Sequence, residues 1–128
     1  MLGIKHLSLE EMETGLEHIR QSPKDEGMVM LIVRRPTVDV RETVQVAKLD
    51  TEMGLVGDNW QARGSKGTPD GSANVDAQVT VMNSRAVALL AQSEERWALA
   101  GDQFYIDMDL SDENIPPGTR LALGSAVI

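Results

Sequence analysis

The stretch "MVMLIVRRP", residues 28–36, decides how the chain is read. It is almost continuously apolar, rich in β-branched side chains, and closed by Pro36. A short, β-branched apolar run bounded this way is the strongest strand signal in the chain. The "TVDVRE" that follows carries Asp39, Arg41 and Glu42 and reads as a hairpin connection. "TVQVAKLD", residues 43–50, then alternates. Val44, Val46 and Lys48 share one face, and Thr43, Gln45 and Ala47 the other. That is the period of a half-buried strand.

Working outward toward the N-terminus, "SLEEMETGLEHIRQS" reads as a helix. Ser8 and Glu11 have the spacing of a capping box, in which each side chain bonds the other's backbone N–H. Leu9, Met12, Leu16 and Ile19 recur at steps of three and four, which predicts one apolar stripe facing the core. Gly15 weakens this helix by roughly 1 kcal/mol relative to alanine. Pro23 ends it by disfavouring helical backbone at Ser22.

Toward the C-terminus, "GLVGDNW", residues 54–60, opens a long polar loop that runs to Asp76. "ARGSKGTPDGSAN" inside it is turn chemistry throughout. Loops of this length in compact domains are functional or disordered. "AQVTVMN", residues 77–83, reads as a strand. "SRAVALLAQSEERWALAG", residues 84–101, reads as one helix or two short ones. Asn83 or Ser84 caps it, Ala86, Leu89, Leu90 and Trp97 supply its buried face, and Gly101 ends it. "QFYIDMDL" is a strand, and "TRLALGSAVI" is a strand, a glycine and the start of another.

The spacing is too short for repeated strand–helix–strand crossovers. The expected fold is therefore mainly β within the α+β class: a small β-barrel or rolled sheet with two peripheral helices, in one domain over residues 1–128. The apolar "SAVI" at residues 125–128 has two readings, a strand cut short or a terminal strand that docks.

The net charge is −8, from 20 acidic and 12 basic residues. Such a surface repels phosphate backbones and anionic bilayers, so neither nucleic acid nor membrane is expected as a partner. There is no cysteine, which removes disulfides, thiolate metal sites and a thiol nucleophile from this chain. The N-terminal "MLGIKHLSLEEMETG" has no long apolar region, which fits a cytoplasmic protein.

Several motifs fail on inspection. "GSKGTPDG" lacks the Gly-Lys-Ser/Thr of a phosphate loop, and "GLVGD" lacks a dinucleotide fingerprint. "DMDLSDEN", residues 107–114, starts like a calcium loop but has Asp112 where glycine is needed and Gly118 where glutamate is needed. His6 and His18 are too far apart for a helical metal pair. What remains is a set of polar residues at turns, of which Arg63 stands out as a lone cation between glycine-rich segments. Backbone N–H groups and one guanidinium can cradle an anion there.

"GLVGDNW", "AQVTVMNSRAVALL" and "GDQFYIDMDLSDENIPPGTRLALGSAVI", taken in this order, resemble the MOSC family, named after the C-terminal domain of molybdenum cofactor sulfurase. The likeness covers most of residues 28–128 and rests on the order and spacing of several short motifs. It implies a β-barrel. It also implies a link to the molybdenum cofactor: carrying sulfur for it, with a sulfur-donor protein as partner, or binding it to reduce N-hydroxylated compounds. By position it implies a pocket for a small anionic heterocycle bordered by Asp58, Asn59, Arg63, Gln78 and Asn83. Asp58 would fix the loop by accepting backbone hydrogen bonds, Arg63 would meet a phosphate or pterin oxygen, and Gln78 and Asn83 would read heterocycle edges. The family's hallmark cysteine follows the last of these motifs, and this chain ends before it. The expectation is a C-terminally incomplete member. The family often has arginine after Gly-Asp, where this chain has Asn59.

A second reading belongs to a different class. A non-catalytic β-barrel module with an open strand edge would pair with another protein or with itself. It predicts a homodimer joined along the strand Leu121–Ile128.

Overall fold

The computed structural model describes residues 6–128. Helix α1 (Leu9–Arg20) starts with the expected capping box at Ser8 and Glu11. Strand β1 (Met28–Arg34) lies inside a four-stranded mixed sheet. Its neighbours are β2 (Glu42–Thr43) on one side and β6 (Phe104–Asp107) on the other, both antiparallel. Strand β5 (Val81–Asn83) completes the order β2-β1-β6-β5 and runs parallel to β6.

Two antiparallel ribbons lie outside this sheet. Strand β3 (Leu49–Asp50) pairs with β4 (Gly54–Leu55), and β7 (Ala122–Leu123) pairs with β8 (Ala126–Val127). Helix α2 (Trp60–Arg63) follows β4, and α3 (Ser84–Ala91) follows β5. A run of 3-10 turns over Glu94–Ala100 leads back to β6.

The alternation of β6 sorts the core into two layers. Tyr105 faces Val33, Val87 and Trp97, and its ring centre lies 6.0 Å from that of Trp97. Phe104 and Ile106 face the other way, onto Leu55. Helix α3 and the 3-10 run thus cover one face of the sheet, and the β3–β4 ribbon covers the other. Burying side chains of this size contributes about 1.5–3 kcal/mol each, so β6 is the element that both layers depend on.

The α+β class holds, but the barrel does not appear: among the described residues the strands form one open mixed sheet and two separate ribbons. The physical reason lies in 43–50. Val44 N–H still donates to the Ile32 carbonyl, at 3.0 Å. The chain then bends and leaves Val46 85 % exposed. Leu49 resumes pairing with β4 rather than with β1. One strand by period is therefore two short ones in different sheets. Likewise "AQVTVMN" is a 3-10 turn at Val75–Ala77 followed by the three residues of β5. Because β5 is so short, one strand–helix–strand crossover fits between Val81 and Asp107 after all.

The helices also correct the pattern. None of α1 is fully buried, and Leu9 is 70 % exposed. Its contact with α3 runs through Gly15, where an added Cβ would lie 2.5 Å from both methyl carbons of Leu89. Glycine here weakens the helix but permits the helices to approach. In α3, Val87 and Ser84 are buried while Leu90 is exposed. Asn83 caps α3 by accepting the Ala86 N–H at 2.9 Å. The strand, glycine and second strand expected in "TRLALGSAVI" are β7 and β8, which pair with each other across Gly124–Ser125 and so form no single edge over 121–128.

Candidate functional site

The site forms where β1 ends. Gly57 takes a φ of 90°, which L side chains rarely adopt, and an added Cβ would press on the Arg34 guanidinium. The reversal this permits carries Asp58 back beside Arg35. Asp58 Oδ1 accepts the Arg35 N–H at 2.6 Å, and Oδ2 accepts the Trp60 N–H at 3.1 Å. Asn59 N–H donates to the Arg35 carbonyl at 2.8 Å. Both backbone groups of Arg35 are therefore held by the turn. Trp60, only 7 % exposed, anchors the start of α2.

The cations around this turn differ in their partners. Arg34 pairs with Glu42 across the β1–β2 hairpin and also donates to the Val56 carbonyl at 3.4 Å. Arg63 is exposed and donates to Asn59 Oδ1 at 3.0 Å, one turn back along α2. Among the described residues no carboxylate forms an ion pair with Arg35 or Arg63. In a chain of net charge −8 that is a local opening for an anion.

The five residues expected at the pocket do not all meet. Asp58, Asn59 and Arg63 come together as described. Gln78 sits beside Gly54 and donates to the Thr51 carbonyl at 2.9 Å. Its amide nitrogen ties the β3–β4 ribbon to the chain leading into β5. Asn83 lies apart. Its nitrogen donates to Ser22 Oγ at 3.0 Å and to the Met108 carbonyl at 2.8 Å, while its oxygen caps α3. An amide committed to three partners, just past α1, just past β6 and in the first turn of α3, has little left to read a heterocycle. Sequence reasoning passed over Arg35. The signal available was the Arg34–Arg35 pair ahead of Pro36 in an acidic chain.

The long segment after the turn is ordered by its own polar residues. Thr68 Oγ1 donates to the Ser72 carbonyl at 2.6 Å, and Ser65 N–H to the Gly71 carbonyl at 3.2 Å. Asp70 accepts from Ser72 through both its N–H and its hydroxyl, and these bonds hold its carboxyl below the ordinary range.

Two hollows lie elsewhere. An open groove of about 720 Å³ runs between β1, residues 43–49 and the β7–β8 ribbon, and Val29, Ile32 and Leu123 contribute to its walls. A smaller one of about 430 Å³ has Arg20, Asn83, Asp109 and Glu113 around it, with Ile19 and Leu110. Asp109 there pairs with Lys24, and that hydrogen bond, with two more from Ser111, pulls its carboxyl down to about 2. Asp107 pairs with Arg85 at 2.8 Å. Asp107 and Asp109 of the rejected calcium loop are thus engaged in ion pairs.

Among the described residues no group of three or more His, Cys, Asp or Glu side chains could hold a metal ion, and no helix is long and apolar enough to cross a membrane. No family model matches this chain, and no curated protein or solved structure matches it either.

Proposed function

We propose that this chain is a MOSC-like domain whose Gly54–Arg63 turn binds the pterin and phosphate part of a molybdenum cofactor. The observation that carries the reading is the turn itself. Asp58 stitches it to the end of β1 and leaves two guanidinium groups, Arg35 and Arg63, without ion-pair partners at its edge. The order of the short motifs supports the same reading. The residues fit the organic part of the group, since guanidinium forks suit phosphate and carboxylate oxygens. They do not fit its metal or its sulfur: the chain offers no thiolate. What this chain does in the proposal is bind and orient, and no sulfur transfer is assigned to it.

Calorimetric titration with pyrophosphate and with pterin-6-carboxylate tests the reading. Wild-type protein should bind both, and Arg63→Ala should weaken each by about tenfold, the size of one charge-assisted hydrogen bond. Its melting temperature should stay put, because Arg63 is exposed. A large loss of stability would make Arg63 structural and sink its assignment.

A second reading has its own observation. Val29 and Met30 stand exposed along the groove beside β1. This supports a module that self-associates through the first residues of β1, which β2 does not cover, and through the β7–β8 ribbon, rather than along one continuous strand.

A further inference from the structure

The edge of β1 that faces β2 is covered for only part of its length. β2 pairs with Val33 and Arg34, and the Val44 N–H reaches the Ile32 carbonyl at 3.0 Å. Residues 45–48 then bend away, and Leu49 joins β4 instead. On its other side β1 is paired with β6 from Met28 to Ile32. Residues 28–31 therefore keep one edge with no neighbouring strand among the described residues. The register slips between Val29 and Leu31, so Met30 has no partner in β6. A bulge of this kind leaves its extra residue outside the ladder.

The groove of about 720 Å³ opens along this bare edge, where the departing segment leaves β1. Val29, Met30 and Val46 are exposed apolar side chains on its walls, and Phe104 and Leu123 line it as well. Proteins ordinarily guard an open edge with a charge or a proline on the strand itself. Residues 28–31 carry neither. Of the chain's 20 acidic residues none lines the groove, and Lys48 is the one charged side chain that does. Lys48 is exposed, and among the described residues no carboxylate stands within ion-pair distance of it. Nearby Asp50 is occupied by the N–H groups of Glu52 and Met53. The local charge therefore favours an acidic occupant. A second copy fits less well, because it brings its own net charge of −8 and its strands are already paired. A short segment meets mainly Lys48, since charges beyond about 8 Å are screened at physiological salt.

We propose that the groove beside β1 is a strand-addition site for an extended segment of another protein, in which apolar and acidic residues alternate. Main-chain hydrogen bonds to the bare edge at residues 28–31 hold the segment in place. Its apolar side chains cover Val29 and Val46, and an acidic one pairs with Lys48. This site is separate from the Gly54–Arg63 turn and does not depend on what that turn binds.

Three peptides test it by calorimetric titration at physiological salt: acetyl-Val-Glu-Val-Glu-Val-amide, its counterpart with lysine for glutamate, and the acidic peptide N-methylated at two adjacent central residues, one facing each edge. Wild-type protein should bind the acidic peptide more tightly than the basic one by roughly threefold, the size of one exposed ion pair. Lys48→Glu should reverse that order, and a thermal melt verifies that this surface variant folds. N-methylation should weaken binding by about tenfold or more, since it removes main-chain donors. Arg63→Ala should bind all three as wild type does, which keeps this site distinct from the turn. If the methylated peptide binds as tightly as its parent, no strand is added and the proposal is wrong. If Lys48→Glu leaves the preference unchanged, the acidic occupant is wrong. If no peptide binds at millimolar concentration, the proposal falls, and a dimer in sedimentation would give the groove to a second copy.

Discussion

Asp58 accepts the backbone N–H of Arg35 at 2.6 Å across 23 residues of chain. With its other oxygen it accepts the N–H of Trp60. One carboxylate therefore joins the end of a central strand, a glycine turn and the first residue of α2. Backbone hydrogen bonds to a charged acceptor are stronger than neutral ones, and losing both leaves two half-buried donors exposed to poor solvation.

Asp58→Ala should destabilise the fold by about 3 kcal/mol, summing two such bonds. Asp58→Asn keeps one acceptor and should cost less. Urea unfolding of the three proteins checks the order. Equal stability of all three would mean that the turn is held by Trp60 packing and Asn59 alone.

The Gly15–Leu89 contact predicts a reversal of sign. In wild-type protein Gly15→Ala gains about 1 kcal/mol of helix propensity. It loses about 1–3 kcal/mol to overpacking against Leu89. The net should be neutral to destabilising. In a Leu89→Ala background the clash is gone, and the same substitution should stabilise by about 1 kcal/mol. A double-mutant cycle by thermal melts reads the difference, and additivity would refute the close approach of α1 and α3.

Asp109 and Asp102 should respond to pH in opposite directions. Asp109 is lowered from 3.8 to about 2 in the folded protein, chiefly by the Lys24 hydrogen bond. The folded state then binds fewer protons than the unfolded one between these values, so its contribution is full above 3.8 and is lost as pH falls toward 2. Lys24→Met should lower stability at neutral pH, and the difference from wild type should shrink as pH falls from 3.8 toward 2. Midpoints of urea unfolding collected from neutral to acid pH would show whether the two curves converge only at low pH.

Asp102 is raised above 3.8, chiefly by burial, with Arg35 opposing. Its folded state holds the proton more tightly than the unfolded chain. Stability from this group is greatest below 3.8 and is lost as pH rises through the higher folded-state value. At pH 7 Asp102→Asn should therefore melt higher than wild type, and the gap should close in acid. A lower melting temperature at neutral pH would show that Arg35 more than compensates the buried charge.

The groove predicts self-association if the second reading holds. Sedimentation velocity over a concentration series should then show a dimer that Val29→Lys abolishes, since a charge on that wall cannot be buried against a partner cheaply. A monomer at every concentration removes this reading.

Much of the local structure was legible in the sequence because it is encoded locally. The capping box at Ser8 and Glu11, the apolar run of β1, the stop at Gly101 and the turn chemistry of 64–74 each depend on neighbours a few residues away. The role of Asp58 in fixing the turn is legible too, since aspartate beside a glycine turn bonds backbone N–H groups. Periodicity could not show that 43–50 serves two sheets, because the bend at Gln45–Val46 follows from which partner strand is within reach. Nor could it show that Asn83 is spent on Ser22 and Met108, since those partners lie 61 and 25 residues away. The sequence by itself determined the α+β class, the start of α1, the run of β1 and the chemistry of the turn. The tertiary structure alone decided that the strands stay an open sheet with two ribbons, and which polar groups are left with capacity for a ligand. Hydrogen-bond satisfaction is a property of the packed chain: a side chain is free for function only when no distant backbone group has claimed it.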